Sequence, residues 1–377
     1  MNLQTLETPC LVLDRGKLKK NIANFHKRLH RLGVDFRPHG KTAKNINALE
    51  MALTGQTGGI TVSTLKEAEY YFSHGIIDIV YAVGITPVKL ERTINLIKKG
   101  AKLTLILDSI EQVKFVAAKA QQYKLSIPVL IELDCDGQRS GTTLSDSRLI
   151  DIGRLLNEES GVSLRGVLTH AGGSYNCQSI TDLRAFAETE RQVAVQCAEL
   201  LRHNGLPCSV VSVGSTPTAT FAQNLSGVTE VRAGVFMFND LVMMGLGVCD
   251  ISDIAVSVLT SVIGHQQQKG WVITDAGWTA LSRDRGTASQ KVDQGYGLVC
   301  DVEGEPLNNL IVTSTNQEHG ILIDREDKSV DWGEFEVGKS LRILPNHACA
   351  TCAMHNKYYV VDGSTEVIDI WDRINGW

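Results

Sequence analysis

Eight short runs rich in β-branched residues alternate with stretches of helical period over about the first 240 positions, and no other feature narrows the choice of folds as far. The runs span 34–38, 59–63, 78–83, 103–108, 128–134, 164–170, 209–214 and 230–238. Each is short and flanked by turn residues, as strands are. Between them lie segments such as "DSRLIDIGRLLNEE" and "DLRAFAETERQVAVQCAELLRHNG", the second ending on Gly205, suited to a left-handed cap. Eight strands with crossover helices predict an α/β fold closed as a (β/α)8 barrel, because that number closes at a diameter side chains can fill. An open doubly wound sheet is the alternative.

From about residue 246 the texture changes. "IAVSVLTSVIGHQ", "GWVITDAG", "NLIVTSTNQEHG" and "KYYVVDG" read as strands joined by turns, with no long helical pattern, and so predict a second, all-β domain. The expected division is a barrel over 11–245 and a β domain over 246–377, joined by residues 1–10. The run "CLVLD" at 10–14 precedes the first barrel helix; as a ninth strand it can pair with the β domain instead.

Composition removes other classes. The 377 residues, 43% hydrophobic and 21% charged, have globular proportions. A formal charge of -5, without a basic stripe, argues against a nucleic-acid partner. No apolar run approaches the roughly 20 residues that span a bilayer, and the start lacks the pattern of a secretory leader, so a soluble, cytoplasmic chain with no membrane partner is expected. Nine scattered cysteines, an odd number, do not read as a disulfide framework.

Barrel chemistry sits at the C-terminal ends of the strands. There the sequence places Lys41 in "PHGKTAK", Arg139 in "DCDGQRSGT", His170 and Tyr175 in "THAGGSYN", and Gly214, Ser215 and Thr216 in "VGSTPT". The eighth run carries the glycine of "RAGVF". Small residues after the last two strands suit a phosphate cup, and a lysine facing such a cup suggests pyridoxal 5'-phosphate, whose aldehyde forms a Schiff base with an amine. Taken singly, each has an ordinary reading: a solvated lysine, a plain loop, a core histidine. Their joint placement on one rim is what points to the cofactor.

"LPNHACATCAMH", residues 344–355, is the second cluster. Read as a strand, it lets His347 and Cys349 share a face and offer an imidazole and a thiolate to one cation. Two protein ligands are too few for a closed structural zinc site and suit a catalytic ion that keeps open positions. A four-ligand site that adds Cys352 and His355 stays open. A redox Cys-x-x-Cys pair fits less well, since the stretch reads as strand and loop rather than a helix start.

Together "TPCLVLD", "RPHGKT", "GGITVSTLKEAEYY", "ELDCDGQRSG", "VGSTPT", "TDAGW", "NQEHG" and "LPNHACATCAMH" resemble the D-serine dehydratase and D-threonine aldolase family, metal-assisted pyridoxal phosphate enzymes of the alanine-racemase-like fold (fold type III). The likeness runs in order along nearly the whole chain. It implies a barrel that carries the cofactor, a β domain that completes the site, and a head-to-tail homodimer. Lys41 matches the family's Schiff-base lysine, Arg139 the residue that bonds the cofactor's phenolic oxygen, and His170 and Tyr175 those beside the ring. Thr216, Gly234 and Val235 fall where the phosphate is held, next to Ser215 of the cup. His347 and Cys349 match the metal ligands. Phe236 and Leu168 depart from the pattern, standing where relatives can carry an aromatic hydroxyl.

A thiolate is softer than a carboxylate and favours Zn2+, although another divalent metal is possible; within the resemblance, cysteine at 349 goes with the dehydratases and aspartate with the aldolases. The expected reaction is therefore elimination of water from D-serine to give pyruvate and ammonia. Lys41 would take the α-proton while the metal draws charge from the β-hydroxyl. The alternatives are D-threo-3-hydroxyaspartate as substrate, the retro-aldol cleavage of D-threonine, and a non-catalytic pyridoxal phosphate homeostasis protein. Chains of the last kind lack the β domain and the His-x-Cys pair.

Overall fold

The computed structural model describes residues 1–56, 58–326 and 330–377. Its strands, in chain order, are β1 (Cys10–Asp14), β2 (Asp35–Pro38), β3 (Ile60–Val62), β4 (Asp78–Tyr81), β5 (Lys102–Leu107), β6 (Ile127–Leu133), β7 (Val162–Thr169), β8 (Val210–Val213) and β9 (Glu230–Ala233). They continue with β10 (Val256–Gln266), β11 (Trp271–Thr274), β12 (Leu298–Cys300), β13 (Pro306–Thr315), β14 (Gly320–Asp324), β15 (Ser340–Leu344), β16 (Lys357–Val361) and β17 (Asp369–Asp372). The chain forms two compact units, residues 25–234 with 376–377 and residues 1–24 with 235–375.

The first unit is an eight-stranded sheet in the order β2-β9-β8-β7-β6-β5-β4-β3, parallel throughout. A parallel bridge between His39 and Thr61 and a 2.8 Å bond from Gly40 N to Thr61 O join its two ends, making the barrel. All eight strands fall within or against the eight predicted runs. The last run, read to residue 238, stops at Ala233, and Val235–Met237 forms a 3-10 turn. The ladder has nothing to extend along, because Pro38 of β2 is paired with Ala233 and β8 stops at Val213.

The barrel interior has two characters. Between β4 and β7 it is apolar, with Val80, Ile106, Leu130 and Leu168 in mutual contact. Leu168, singled out in the sequence as a departure, is thus part of the filling. Around β8, β9 and β2 the interior is ionic. Arg37 donates to Glu230 Oε2 at 2.8 Å and Asp78 Oδ1 at 2.9 Å, Ser212 Oγ donates to Glu230 Oε1 at 2.6 Å, and Arg232 donates to Ser212 Oγ at 2.6 Å and Thr169 O at 2.5 Å. Buried charges persist only when paired and bonded in this way.

The second unit is built on a nine-stranded sheet in the order β11-β14-β13-β12-β15-β10-β1-β16-β17. As the position of "CLVLD" allowed, β1 lies inside it, antiparallel to β10 and parallel to β16. Its Val12 packs with Leu3, Leu259 and Val361. The boundaries therefore differ from those expected at 10/11 and 245/246. Residues up to 24 follow β1, and the segment from 235 is tied to the end of β15: Leu241 N donates to Pro345 O, Val242 N to Asn346 O, and Ala348 N to Asp240 Oδ2 at 2.9 Å. No helix among the described residues is long and apolar enough to cross a membrane.

Candidate active site and metal-binding turn

Lys41 is exposed on the turn that leaves β2. The turn is held from several sides. Lys41 N donates to His39 Nδ1 at 3.3 Å, Lys44 N to Gly40 O at 2.8 Å, and the buried Tyr71 hydroxyl to Gly40 O at 3.1 Å. A Cβ on Gly40 would lie 2.5 Å from the Tyr71 ring, so only glycine fits there. Because His39 Nδ1 accepts, its Nε2 carries the proton and donates to Ser63 Oγ at 3.3 Å. Burial, reinforced by the charges of Lys41 and Arg232, holds His39 well below the ordinary imidazole range, hence neutral.

After β7, His170 Nδ1 donates to Gly214 O at 2.9 Å, which fixes its tautomer and leaves the lone pair on Nε2. Burial first, then the charge of Lys41, pushes this imidazole down to about 3. Arg139 and Arg232 act in the same direction. The Tyr175 ring lies 6.5 Å from that of His170, centroid to centroid. Arg139, on the loop after β6, has a largely exposed side chain 3.8 Å from Glu132 Oε1.

Gly214 leads into the short helix Thr216–Phe221, capped by Ser215. Ser215 N donates to Thr218 Oγ1 at 3.1 Å, and Ser215 Oγ accepts from Thr218 N at 3.2 Å and meets Ser174 Oγ at 2.9 Å, so both its polar groups serve the turn itself. Thr216 is the first helical residue, and Pro217 has no N–H to offer. At the exit of β9, a Cβ on Gly234 would come within 2.9 Å of Thr42 Oγ1 and 3.2 Å of His39 O. The end of the last barrel strand thus packs directly on the Lys41 turn, and Val235 follows Gly234 in the chain. Lys41, Arg139, His170, Tyr175, Ser215, Thr216 and Gly234 all lie just beyond the C-terminal ends of barrel strands. This rim fits pyridoxal phosphate: an exposed primary amine on a rigid turn, a neutral imidazole, and a side-chain-free backbone at Gly234.

The segment 344–355 is not the strand expected of it. β15 ends at Leu344, Pro345 removes a ladder donor, and Ala348–Cys352 is a short helix preceded by His347. His347 and Cys349 are therefore brought together by a helical turn rather than by a shared strand face, and their side chains are hydrogen-bonded. His347 Nδ1 donates to Asp284 Oδ2 at 2.7 Å. Although burial opposes the charged imidazole, the bonds to Asp284 and Cys349 and the charge of Asp240 push His347 up to about 11. The same pair holds Asp284 below its ordinary value, chiefly through the bond to His347. An imidazole backed by a carboxylate and hydrogen-bonded to a neighbouring thiol is a donor pair that suits a divalent cation.

Cys352 and His355 face elsewhere. Cys352 is fully buried, and burial pushes its thiol up to about 12. His355 Nε2 donates to Ala280 O at 2.9 Å. Among the described residues no group of three or more His, Cys, Asp or Glu side chains is arranged to hold a metal. The four-ligand arrangement thus has no geometry here, and a two-ligand turn does. The Cys-x-x-Cys pair does sit on a helix, contrary to the expected strand and loop, but with its second thiol sealed in the interior.

Four residues that matter here escaped the sequence reading. His39 stands inside the quoted "PHGKTAK". Arg232 alternates with the buried Val231 and Ala233, a charge inside a strand. Glu190 falls on the buried stripe of the helix Ile180–His203, with Leu183, Ala187, Ala194 and Leu201. A carboxylate on an apolar stripe was a readable signal. Asp284 had none, since it lies far from His347 in sequence.

A parallel eight-stranded barrel with a lysine on its rim, joined to a β domain, is an alanine-racemase-like architecture. The alanine racemase N-terminal domain model matches residues 13–241 and the serine dehydratase domain model residues 255–361. The chain is 49% identical to D-threo-3-hydroxyaspartate dehydratase of Delftia sp., over 100% of this chain and 99% of that one. It is 29% identical to D-serine dehydratase of Dictyostelium discoideum, over 100% and 98%. A solved cysteine-to-alanine mutant of D-threo-3-hydroxyaspartate dehydratase, in the metal-free form, superposes with a TM-score of 0.97 at 48% identity, covering 100% of both chains. The chain belongs to the D-serine dehydratase and D-threonine aldolase family, whose named members are lyases of D-amino acids.

Proposed function

We propose that this chain uses pyridoxal phosphate and a divalent cation, zinc first among them, to remove water from a β-hydroxy D-amino acid. D-threo-3-hydroxyaspartate ranks ahead of D-serine, reversing the order read from the sequence, because identity to the hydroxyaspartate enzyme is 49% against 29% for the D-serine enzyme. The observation that carries the reading is the His347–Cys349 turn, where Asp284 orients the imidazole and, among the described residues, no third metal-binding side chain joins the pair, which would leave a cation open to a substrate oxygen. When bound, the cofactor supplies an electron sink for charge at Cα and the cation supplies a Lewis acid for the β-hydroxyl.

The chain's own residues divide the remaining work. The Lys41 amine anchors the cofactor and, when free, accepts the α-proton of the substrate. His170, with Nδ1–H committed to Gly214 O, stays neutral and adds no charge beside the ring. Asp284 keeps Nδ1 of His347 occupied, so Nε2 is the nitrogen left for a metal. The turn at Gly234 offers backbone without a side chain in the way, which suits a phosphate.

The test is product analysis. Purified protein loaded with pyridoxal phosphate should convert D-threo-3-hydroxyaspartate to oxaloacetate and ammonia, and D-serine more slowly to pyruvate. A chelator should stop both reactions and added zinc restore them. Glycine and an aldehyde as products would mean an aldolase, and no turnover of either substrate would reduce the chain to a binder.

A further inference from the structure

Glu190 is 2% exposed in the middle of the long helix Ile180–His203. A carboxylate in such a place is costly unless donors converge on it, and here they do. Its Oε1 accepts from Gly214 N at 2.8 Å and from Ala171 N at 3.2 Å. The two amides belong to different loops, one leaving β8 and the other leaving β7. Ala171 adjoins His170, and Gly214 adjoins Ser215. The Thr218 side chain adds a third bond to the same carboxylate, and the charge of Arg232 offsets it.

The two loops also meet directly. His170 Nδ1 donates to Gly214 O at 2.9 Å, and Ser174 Oγ lies 2.9 Å from Ser215 Oγ while donating to Ala171 O at 2.7 Å. Gly214 is pressed so closely on β9 that a Cβ would stand 2.0 Å from Arg232 O, and its φ of +141° suits glycine alone. One oxygen, added to these direct contacts, therefore helps to set the spacing between the imidazole and β9, the strand that leads to Gly234.

We propose that Glu190 is a positioning residue for the cofactor pocket: by tying Ala171 to Gly214, which is pressed on β9 at Arg232, it fixes the distance between His170 and the Gly234 turn at the end of that strand, so that one molecule of pyridoxal phosphate is held at its ring and its phosphate together. The inference rests on the cofactor assignment made above. Pyridoxal, which lacks the phosphate, needs only the ring side. Loosening the tie should therefore weaken binding of the phosphorylated form selectively, whereas a general loss of structure would weaken both.

The experiment titrates the apo protein with pyridoxal phosphate and with pyridoxal, following cofactor absorbance, and compares the two affinities. Glu190→Asp withdraws the oxygen by one methylene and should lower the pyridoxal phosphate to pyridoxal affinity ratio about tenfold. Glu190→Gln keeps an acceptor at the same place and should stay within about threefold of the parent. Ser174→Ala cuts the parallel tie without touching the helix and should lower the ratio in the same direction. An unchanged ratio in Glu190→Asp and Ser174→Ala overturns the proposal, as does a loss in Glu190→Gln as large as that in Glu190→Asp. A parent protein that binds neither compound instead overturns the cofactor assignment, and this inference with it.

Discussion

Asp284 Oδ2 receives the Nδ1 proton of His347 at 2.7 Å, and the same residue is gripped through its backbone, where Asn346 Nδ2 donates to Asp284 O at 3.1 Å. Asn346 is the residue before His347, so the carboxylate and the imidazole it orients are held by one short stretch. Carboxylates behind metal-ligating histidines fix tautomer and ring angle. Asp284→Ala should weaken binding of zinc by about 10- to 100-fold in equilibrium dialysis while leaving pyridoxal phosphate uptake at Lys41 unchanged. Equal zinc affinity in the variant would show that the carboxylate does not support the ligand.

A second support comes from the end of the chain. Arg373 is buried, donates Nε to the Tyr358 hydroxyl at 2.7 Å and Nη1 to His355 O at 3.0 Å, and also caps Cys352 O. Its charge sits where the carbonyls of the helix Ala348–Cys352 end, the favourable place for a cation. Replacing it with alanine strands several buried acceptors and should cost about 2–4 kcal/mol in urea unfolding. Tyr358→Phe, which removes one partner, should cost about 1–3 kcal/mol. A loss below about 0.5 kcal/mol in Arg373→Ala would mean the clamp contributes no more than a surface contact.

The buried neutral histidines give a pH dependence of definite sign. His170 is lowered from the ordinary 6.5 to about 3, and His39 is also held well below its ordinary value. Between these values the unfolded chain binds protons that the folded chain does not. Stability from this source is therefore complete above about pH 6.5 and falls as the pH drops toward 3. The slope is at most about 1.4 kcal/mol per pH unit for each group. His170→Gln should flatten the acid limb of apo-protein stability by about that amount, read from urea midpoints between pH 6 and 4.

Gly234→Ala tests the rim directly. The added methyl would meet Thr42 Oγ1 at 2.9 Å and His39 O at 3.2 Å, so the Thr42 side chain and the backbone before Lys41 must give way. Overpacking of this kind costs about 1–3 kcal/mol of stability, and where the turn relieves that strain by leaving the position that holds the cofactor, pyridoxal phosphate affinity falls by up to roughly 150-fold. Affinity within a factor of two of the parent would show that the turn yields freely.

The eight barrel strands were legible because each carries its own apolar run and turn residues, and strand period needs only local information. Lys41 and His170 were legible for the same reason: once the strands are placed, the residues after them must lie on the rim. The helix at Ala348–Cys352 was not, since five residues give too little periodicity to tell from an extended turn, and an alternating His-x-Cys reads as strand. Asp284 is brought to His347 by the folding of the β unit, which no local pattern encodes. Glu190 was overlooked although its place among Leu183, Ala187 and Ala194 marks it as inward-facing.

The position of β1 bears on how the molecule is made. Leu11 is registered against Val258 and Val12 against Tyr359, so β1 finds its two neighbours only after the intervening barrel has been synthesised. Until then it is an apolar ribbon with both edges open, the kind of segment that invites wrong pairing. Birth order and assembly order thus run opposite ways in this sheet, and the time that ribbon waits is set by the barrel made between it and its partners.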